Sequence, residues 1–177
     1  MKHKRDPLLT AARGVISLLL VLLALTGLAM LIGAPLLGLW RDGVVAELTR
    51  RSGHAVAPSV VTEICAILVL SACIMGLAFQ SLIHMRRIID SVALGDPFAP
   101  VNAARLTRMG WLTAATQVVS FPIGVLLHSL GLSLRNIVGH PEFGAGLGGI
   151  LMALLLFVLA RVFREGARMR EDLEGTV

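Results

Sequence analysis

The sequence has few charged residues and few cysteines, and each scarcity excludes a class of protein. Only 15% of its 177 residues are charged, 56% are hydrophobic, and the mean hydropathy is +0.83. A soluble domain carries about 25% charged residues. The apolar excess therefore requires a bilayer as its solvent. The two cysteines, Cys65 and Cys73, lie eight residues apart in one apolar run, about 12 Å along a helix, which is too far for a disulfide.

Sequence patterns that carry chemistry are also missing. No Cys-x-x-Cys pair, His-rich metal motif or nucleophile–base set occurs, so the sequence favours a non-enzymatic protein with no cofactor. The formal net charge of +5 is a feature that nucleic-acid-binding proteins share. However, the basic residues lie at the ends of apolar runs, where they contact lipid headgroups and set topology. We therefore expect a lipid bilayer as the partner and no direct contact with nucleic acid.

Four long apolar runs predict an all-α fold, an integral membrane four-helix bundle in a single domain. The expected transmembrane helices cover residues 14–39, 60–83, 109–130 and 143–162. Pro35 predicts a kink or an early exit from the first helix, because proline removes a backbone donor. Between the first two runs, Val44, Val45 and Leu48 share a helical face, which favours a short helix on the membrane surface.

The distribution of lysine and arginine predicts the orientation. With the N-terminus inside, the inner segments hold twelve basic residues: Lys2, Lys4, Arg5, Arg13, Arg86, Arg87, Arg105, Arg108, Arg161, Arg164, Arg168 and Arg170. The outer loops hold four: Arg41, Arg50, Arg51 and Arg135. Since basic residues favour the cytoplasmic side, both termini and the segment between the second and third helices are expected in the cytoplasm.

That segment, residues 84–108, is the long polar break in the chain and predicts a tight helical elbow between helices 2 and 3. Gly95 suits the left-handed conformation that ends a helix. Asp96-Pro97 requires extended backbone. Phe98 is then free to turn back into the bundle as an anchor, and Asn102 either caps the next helix or lies just inside its first turn.

A pattern of residues runs through the elbow: Gly95-Asp96-Pro97-Phe98, Pro100, Asn102, Arg105-Leu106 and Gly110-Trp111. With the four-helix layout, this pattern resembles DUF2975, a bacterial family of unknown function. Members often have glutamate before the asparagine, where this chain has Val101. The resemblance implies a multi-pass protein of the bacterial cytoplasmic (inner) membrane, often encoded beside a small helix-turn-helix transcription regulator. It implies no known catalytic residue.

The elbow has two interpretations at this point. It is either a rigid turn that only reverses the chain, since each residue has a turn or capping reason, or a docking surface for a cytoplasmic partner. The candidate docking residues are Gly95, Asp96, Pro97, Phe98, Asn102 and Arg105. The leading functional hypothesis is a membrane partner of a small helix-turn-helix regulator, which it binds through the elbow and through the charged tail, residues 161–177.

The third apolar run carries a polar stripe. Its residues recur at three- and four-residue spacing on one helical face, with Gly124 among them. The candidate residues are Thr113, Gln117, Ser120 and His128. Packing and hydrogen bonding between helices explain such a stripe. The alternative function is a small-solute or ion transporter or channel that uses this face, although no carboxylate lies on it.

Two further patterns lie toward the predicted outer side or on apolar faces. Glu63 and His128 could pair. With the polar residues His54, His140 and Glu142, they raise the hypothesis of a metal or proton sensor, but their spacing matches no ligand pattern.

Small residues at helical spacing allow close helix contact, either within the bundle or across a homodimer. These small residues are Gly144, Ala145, Gly148 and Gly149 in the fourth run, and Ala72 and Gly76 in the second.

Overall fold

The computed structural model describes residues 7–134 and 146–174, and every regular element within those ranges is a helix. The helices are α1 (Pro7–Leu39), α2 (Arg41–Ser52), α3 (Ser59–Ala93), α4 (Pro100–Ser133) and α5 (Leu147–Glu174). Four of them, α1, α3, α4 and α5, are long and apolar enough to cross a membrane. The predicted all-α fold class is confirmed, and the four apolar helices are compatible with a membrane bundle.

The helices extend beyond the apolar runs that predicted them. α3 continues to Ala93, ten residues past residue 83, and α4 begins at Pro100, nine residues before residue 109. Hydropathy marks only the part of a helix that suits lipid, whereas backbone hydrogen bonding continues into the polar ends. The prediction that the first helix ends early at Pro35 is wrong, because α1 continues through this residue to Leu39. An apolar environment penalises unpaired backbone groups, which favours a continuous helix.

Large apolar side chains lie on the outside of these helices. The most apolar stretch of each of the four has only 11–17% of its residues buried. On α4, for example, Val118 and Phe121 are 73% and 68% exposed. Such surfaces are typical of helices that face lipid or an apolar protein partner. Together with the length and apolar composition of the four helices, they indicate a multi-pass membrane protein.

The described helices divide into two compact units. The first takes α1 up to Leu23, α3 from Leu77, α4 up to Ala115, and α5. Its buried cluster contains Leu106 and Met109 of α4 with Leu156 and Ala160 of α5; Ile88 and Phe163 pack against the cluster. Helices α4 and α5 also approach closely at Gly110, where an added Cβ would lie 2.8 Å from the Phe157 ring.

The second unit takes α1 from Ala24, all of α2, α3 up to Gly76, and α4 from Thr116. Its cluster contains Val56, Val60, Leu130 and Leu134, and Leu48 of α2 and Ile64 of α3 pack against it. The loop that follows α2 is tied to α4, because a ring nitrogen of His54 lies 3.1 Å from the carbonyl oxygen of Ser133. These contacts hold the short helix against the longer ones.

Helix α2 is the predicted short helix between the first two apolar runs. It ends at Gly53, whose φ of 73° lies in the left-handed region and whose N–H donates to the Thr49 carbonyl. Glu47 accepts hydrogen bonds from Arg50 Nε at 3.0 Å and from Arg51 Nε at 2.6 Å. These two arginines lower the pKa of Glu47 from 4.5 to about 2.

Candidate functional site at the elbow

The elbow begins with a helix end closed by its own backbone. The Gly95 N–H donates to the Val92 carbonyl at 3.0 Å, and the Asp96 N–H donates to the Ser91 carbonyl at 3.1 Å. These two bonds are the Schellman motif, which requires a left-handed residue at its turn. Gly95 supplies that conformation with a φ of 83°. Backbone hydrogen bonds alone therefore define the conformation of this turn.

Asn102 holds the two sides of the elbow together. It is fully buried, and its Nδ2 donates to Ser91 Oγ and to the Pro97 carbonyl, both at 3.0 Å. Its Oδ1 accepts from Arg105 Nη1 at 2.9 Å. As the third residue of α4, Asn102 lies just inside the first turn, and its side chain joins the end of α3 to the loop and to α4.

The same guanidinium group also reaches across to α3. Besides its bond to Asn102, Arg105 Nη1 donates to the backbone carbonyl of Arg87 at 2.9 Å. Both hydrogens on Nη1 are thereby used, and they fix the plane of the group. The sequence placed Arg105 on a docking surface, and the structure shows that part of its side chain holds the elbow together.

The elbow is also attached to the charged half of α5. The Phe98 and Phe163 rings lie 5.4 Å apart between centroids, and a Cβ at Gly166 would lie 2.8 Å from the Phe98 ring. Arg170 Nη1 lies 2.6 Å from Asp96 Oδ1. Phe98 therefore anchors the elbow on α5, although 41% of it stays exposed. Elbow and tail form one continuous surface.

A groove lies between the start of α4 and the charged half of α5, and we call it the elbow–tail groove. It measures about 330 Å³. Its walls contain Pro100, Ala103 and Ala104 of α4, and Arg164, Ala167 and Arg168 of α5. The floor is made of small side chains, because Ala103 and Ala167 are buried. Two arginines and Glu171 therefore border a channel with an apolar floor.

A second cavity, which we call the elbow pocket, lies between the end of α3 and the start of α4. It measures about 550 Å³. Its charged wall residues are Arg87, Asp90, Asp96 and Arg105, and Leu94 and Val101 also line it. Leu94 is 82% exposed. The pocket and the groove share no wall residue.

The polar stripe of α4 is engaged mainly with its own helix. Thr113 Oγ1 donates to the Met109 carbonyl at 2.9 Å, and Ser120 Oγ donates to the Thr116 carbonyl at 2.8 Å. Ser120 is buried, Gln117 is half-buried and His128 is exposed. The two hydroxyl donors are therefore not available to a solute.

The suggested pairing of Glu63 with His128 does not occur. Glu63 Oε2 is buried without a hydrogen-bond partner in the described ranges, and no hydrogen bond or ion pair joins it to His128. His140 and Glu142 lie outside the described residues, as do Gly144 and Ala145. Within the described ranges, no three His, Cys, Asp or Glu side chains converge as a metal site.

Two of the small residues proposed for close helix contact, Gly76 and Gly148, have open surroundings. A Cβ added at Gly76 or Gly148 would meet no atom within 4 Å. Ala72, in contrast, is buried. The two glycines are thus not used for packing between described helices of one chain, and they leave the homodimer hypothesis untested.

Comparison with protein families gives one match. The model of a family described as "Protein of unknown function (DUF2975)" matches residues 10–177, nearly the whole chain. The chain belongs to the DUF2975 family. No curated protein and no solved structure matches it. The family assignment agrees with a multi-pass membrane protein whose function has to be inferred from the site itself.

Sequence reasoning missed several residues of this DUF2975 site. Ser91, Phe163, Gly166 and Arg170 all contact the elbow, and none was a candidate. Ser91 lies eleven positions before its partner Asn102, so no local pattern connects them. One signal was available for α5: Gly166 stands in a charged helix, where a glycine weakens the helix unless close packing needs it.

Proposed function

We propose that this DUF2975 protein is a non-enzymatic docking protein of the bacterial cytoplasmic membrane. It holds a small helix-turn-helix transcription regulator at the cytoplasmic face, in the elbow–tail groove. The observation that carries the proposal is the attachment of the elbow to α5, through the Asp96–Arg170 ion pair and the Phe98–Phe163 contact. A surface fixed in this way loses little conformational entropy when a partner binds.

The groove suits a partner helix. Its small floor residues allow a helix backbone to approach, which is the helix-in-groove mode of recognition. Arg164 and Arg168 border the channel, with Glu171 beside them. The complementary partner surface is an apolar helix stripe flanked mainly by acidic residues. A helix-turn-helix regulator would dock through such a face and leave its basic recognition surface free.

The charge pattern supports a cytoplasmic site. The groove belongs to the ends of α4 and α5, which carry basic residues of the predicted inner set, including Arg105, Arg164 and Arg168. Short loops and helix ends rich in lysine and arginine stay on the cytoplasmic side. The transport alternative lacks comparable support, because the Thr113 and Ser120 hydroxyls bond within their own helix.

Binding is tested by co-purification of the full-length protein with a small helix-turn-helix regulator of the kind that the family resemblance implies beside its gene. Ala104→Trp fills the groove from an exposed position, and Arg168→Glu reverses a charge at its border. Each change should lower the affinity at least about tenfold, since steric exclusion or charge reversal costs more than about 1.4 kcal/mol. The matched control is Arg161→Glu, an exposed arginine of α5 outside the groove wall.

The control should bind as the unchanged protein does. Binding by Ala104→Trp and Arg168→Glu at the level of Arg161→Glu would remove the groove from the proposal. A regulator that does not bind the unchanged protein would overturn the docking function itself.

A further inference from the structure

The acidic residues of the elbow pocket are already neutralised by partners outside its wall. Asp90 Oδ1 lies 2.7 Å from Arg13 Nε of α1. Asp96 Oδ1 lies 2.6 Å from Arg170 Nη1 of α5. Each carboxylate is thus matched by one arginine from another helix. The charge of the pocket is then decided by its two remaining ionisable side chains.

Those side chains are the arginines Arg87 and Arg105. Neither has a carboxylate partner in the described part of the chain. Arg105 uses Nη1 for the Asn102 and Arg87 oxygens, so its Nε and Nη2 hydrogens have no partner among residues 7–134 and 146–174. That edge of a guanidinium group is a fork that matches two oxygens of a phosphate. The hydrogen bond from Nη1 to the fully buried Asn102 fixes the orientation of this edge.

The two arginines lie where lipid phosphates are found. Arg87 lies four residues after residue 83, where the apolar run of α3 ends, and Arg105 precedes Met109, where the apolar run of α4 begins, by four. Each separation is about 6 Å of helix rise. Trp111, six residues after Arg105 in α4, is 67% exposed, as expected of an aromatic residue at the membrane interface. Basic pockets between helices at this depth suit lipid headgroups.

We propose that the elbow pocket binds the headgroup of an anionic phospholipid. The phosphate would lie on the Nε–Nη2 edge of Arg105, with Arg87 as the second cation. A net negative lipid is favoured over a zwitterionic one, because a choline group would bring a third positive charge beside the two arginines. The site is independent of the regulator-binding groove, whose walls contain neither arginine.

Native mass spectrometry of the full chain in detergent tests the proposal, with phosphatidylglycerol and phosphatidylcholine of identical acyl chains as probes. We expect preferential retention of phosphatidylglycerol. Arg87→Gln should weaken that binding about tenfold, the loss expected for one charged hydrogen bond. Arg86→Gln is the matched control, because Arg86 is its exposed neighbour and does not line the pocket. Both variants should retain the thermal stability of the unchanged protein, since both side chains are exposed.

Three results would overturn the site. Equal retention of the two lipids would show that the pocket does not select net negative charge. Equal weakening by Arg86→Gln and Arg87→Gln would show a general effect of surface charge. Displacement of the lipid by excess glycerol 3-phosphate would show a site for a soluble phosphate compound instead of a membrane lipid.

Discussion

Asn102 is the residue on which the elbow depends most. It is the one polar side chain with no exposed surface among the buried residues that the structure describes. Its three hydrogen bonds join Ser91 of α3, the Pro97 carbonyl of the loop and Arg105 of α4. Because buried polar groups are costly when unpaired, each partner depends on this amide.

Replacing Asn102 by alanine should therefore destabilise the protein. Asn102→Ala leaves the Pro97 carbonyl without its side-chain donor and removes the acceptor of Arg105. We expect a loss of about 2–4 kcal/mol in the free energy of unfolding, since each buried group left unpaired costs about 1–3 kcal/mol. Denaturant unfolding in detergent, followed by circular dichroism, measures the change.

The neighbouring residue provides the control for this prediction. Val101 is 49% exposed, so Val101→Ala should change the free energy of unfolding by less than about 0.5 kcal/mol. Equal stability of the Asn102→Ala and Val101→Ala variants would mean that the amide network does not support the elbow.

At the level of elements, the contact between α4 and α5 is specified by a glycine. Gly110 is buried, and the Phe157 ring occupies the space where its side chain would be. The same ring lies 5.4 Å from Trp111, edge-on at 71°. The Phe157 ring thus contacts two consecutive residues of α4.

Adding a methyl group at this contact should weaken it. Gly110→Ala places a Cβ 2.8 Å from the Phe157 ring, and overpacking of this kind costs about 1–3 kcal/mol. Gly76→Ala is the matched control, since Gly76 is also inside a long helix but its Cβ would meet nothing within 4 Å. Alanine there should be neutral or stabilising. Equal unfolding midpoints for the two variants would contradict the close approach.

The sequence predicted the centres of the long helices from hydropathy, and it predicted the end of α3 at the elbow from Gly95. Apolar runs identify α1, α3, α4 and α5 because lipid selects for hydropathy. The polar ends, such as Pro100 to Arg108, are helical for a different reason, since Gly95 and Asn102 fix where one helix stops and the next begins. The ion pair between Asp96 and Arg170 joins residues that are 74 positions apart in the sequence. No local sequence pattern predicts it, because only the packing of α5 against the elbow brings these residues together.

For the whole molecule, the central claim is that four apolar helices cross the membrane and leave the elbow in the cytoplasm. The regulator-binding groove requires this orientation, because the regulator is cytoplasmic and the groove lies at the elbow. The composition and the four long apolar helices indicate a multi-pass membrane protein. The excess of arginine and lysine at the elbow, tail and N-terminus supports the orientation.

Cysteine accessibility tests that orientation most directly. Cys65 and Cys73 are first replaced by alanine, and single cysteines are introduced by Leu94→Cys in the elbow and by Gly43→Cys in α2, both at exposed positions. Intact spheroplasts are then treated with a maleimide that cannot cross the membrane. We expect labelling of Gly43→Cys alone, with Leu94→Cys labelled only after permeabilisation. Labelling of Leu94→Cys in intact spheroplasts would place the elbow outside the cell and contradict the proposed docking of a cytoplasmic regulator.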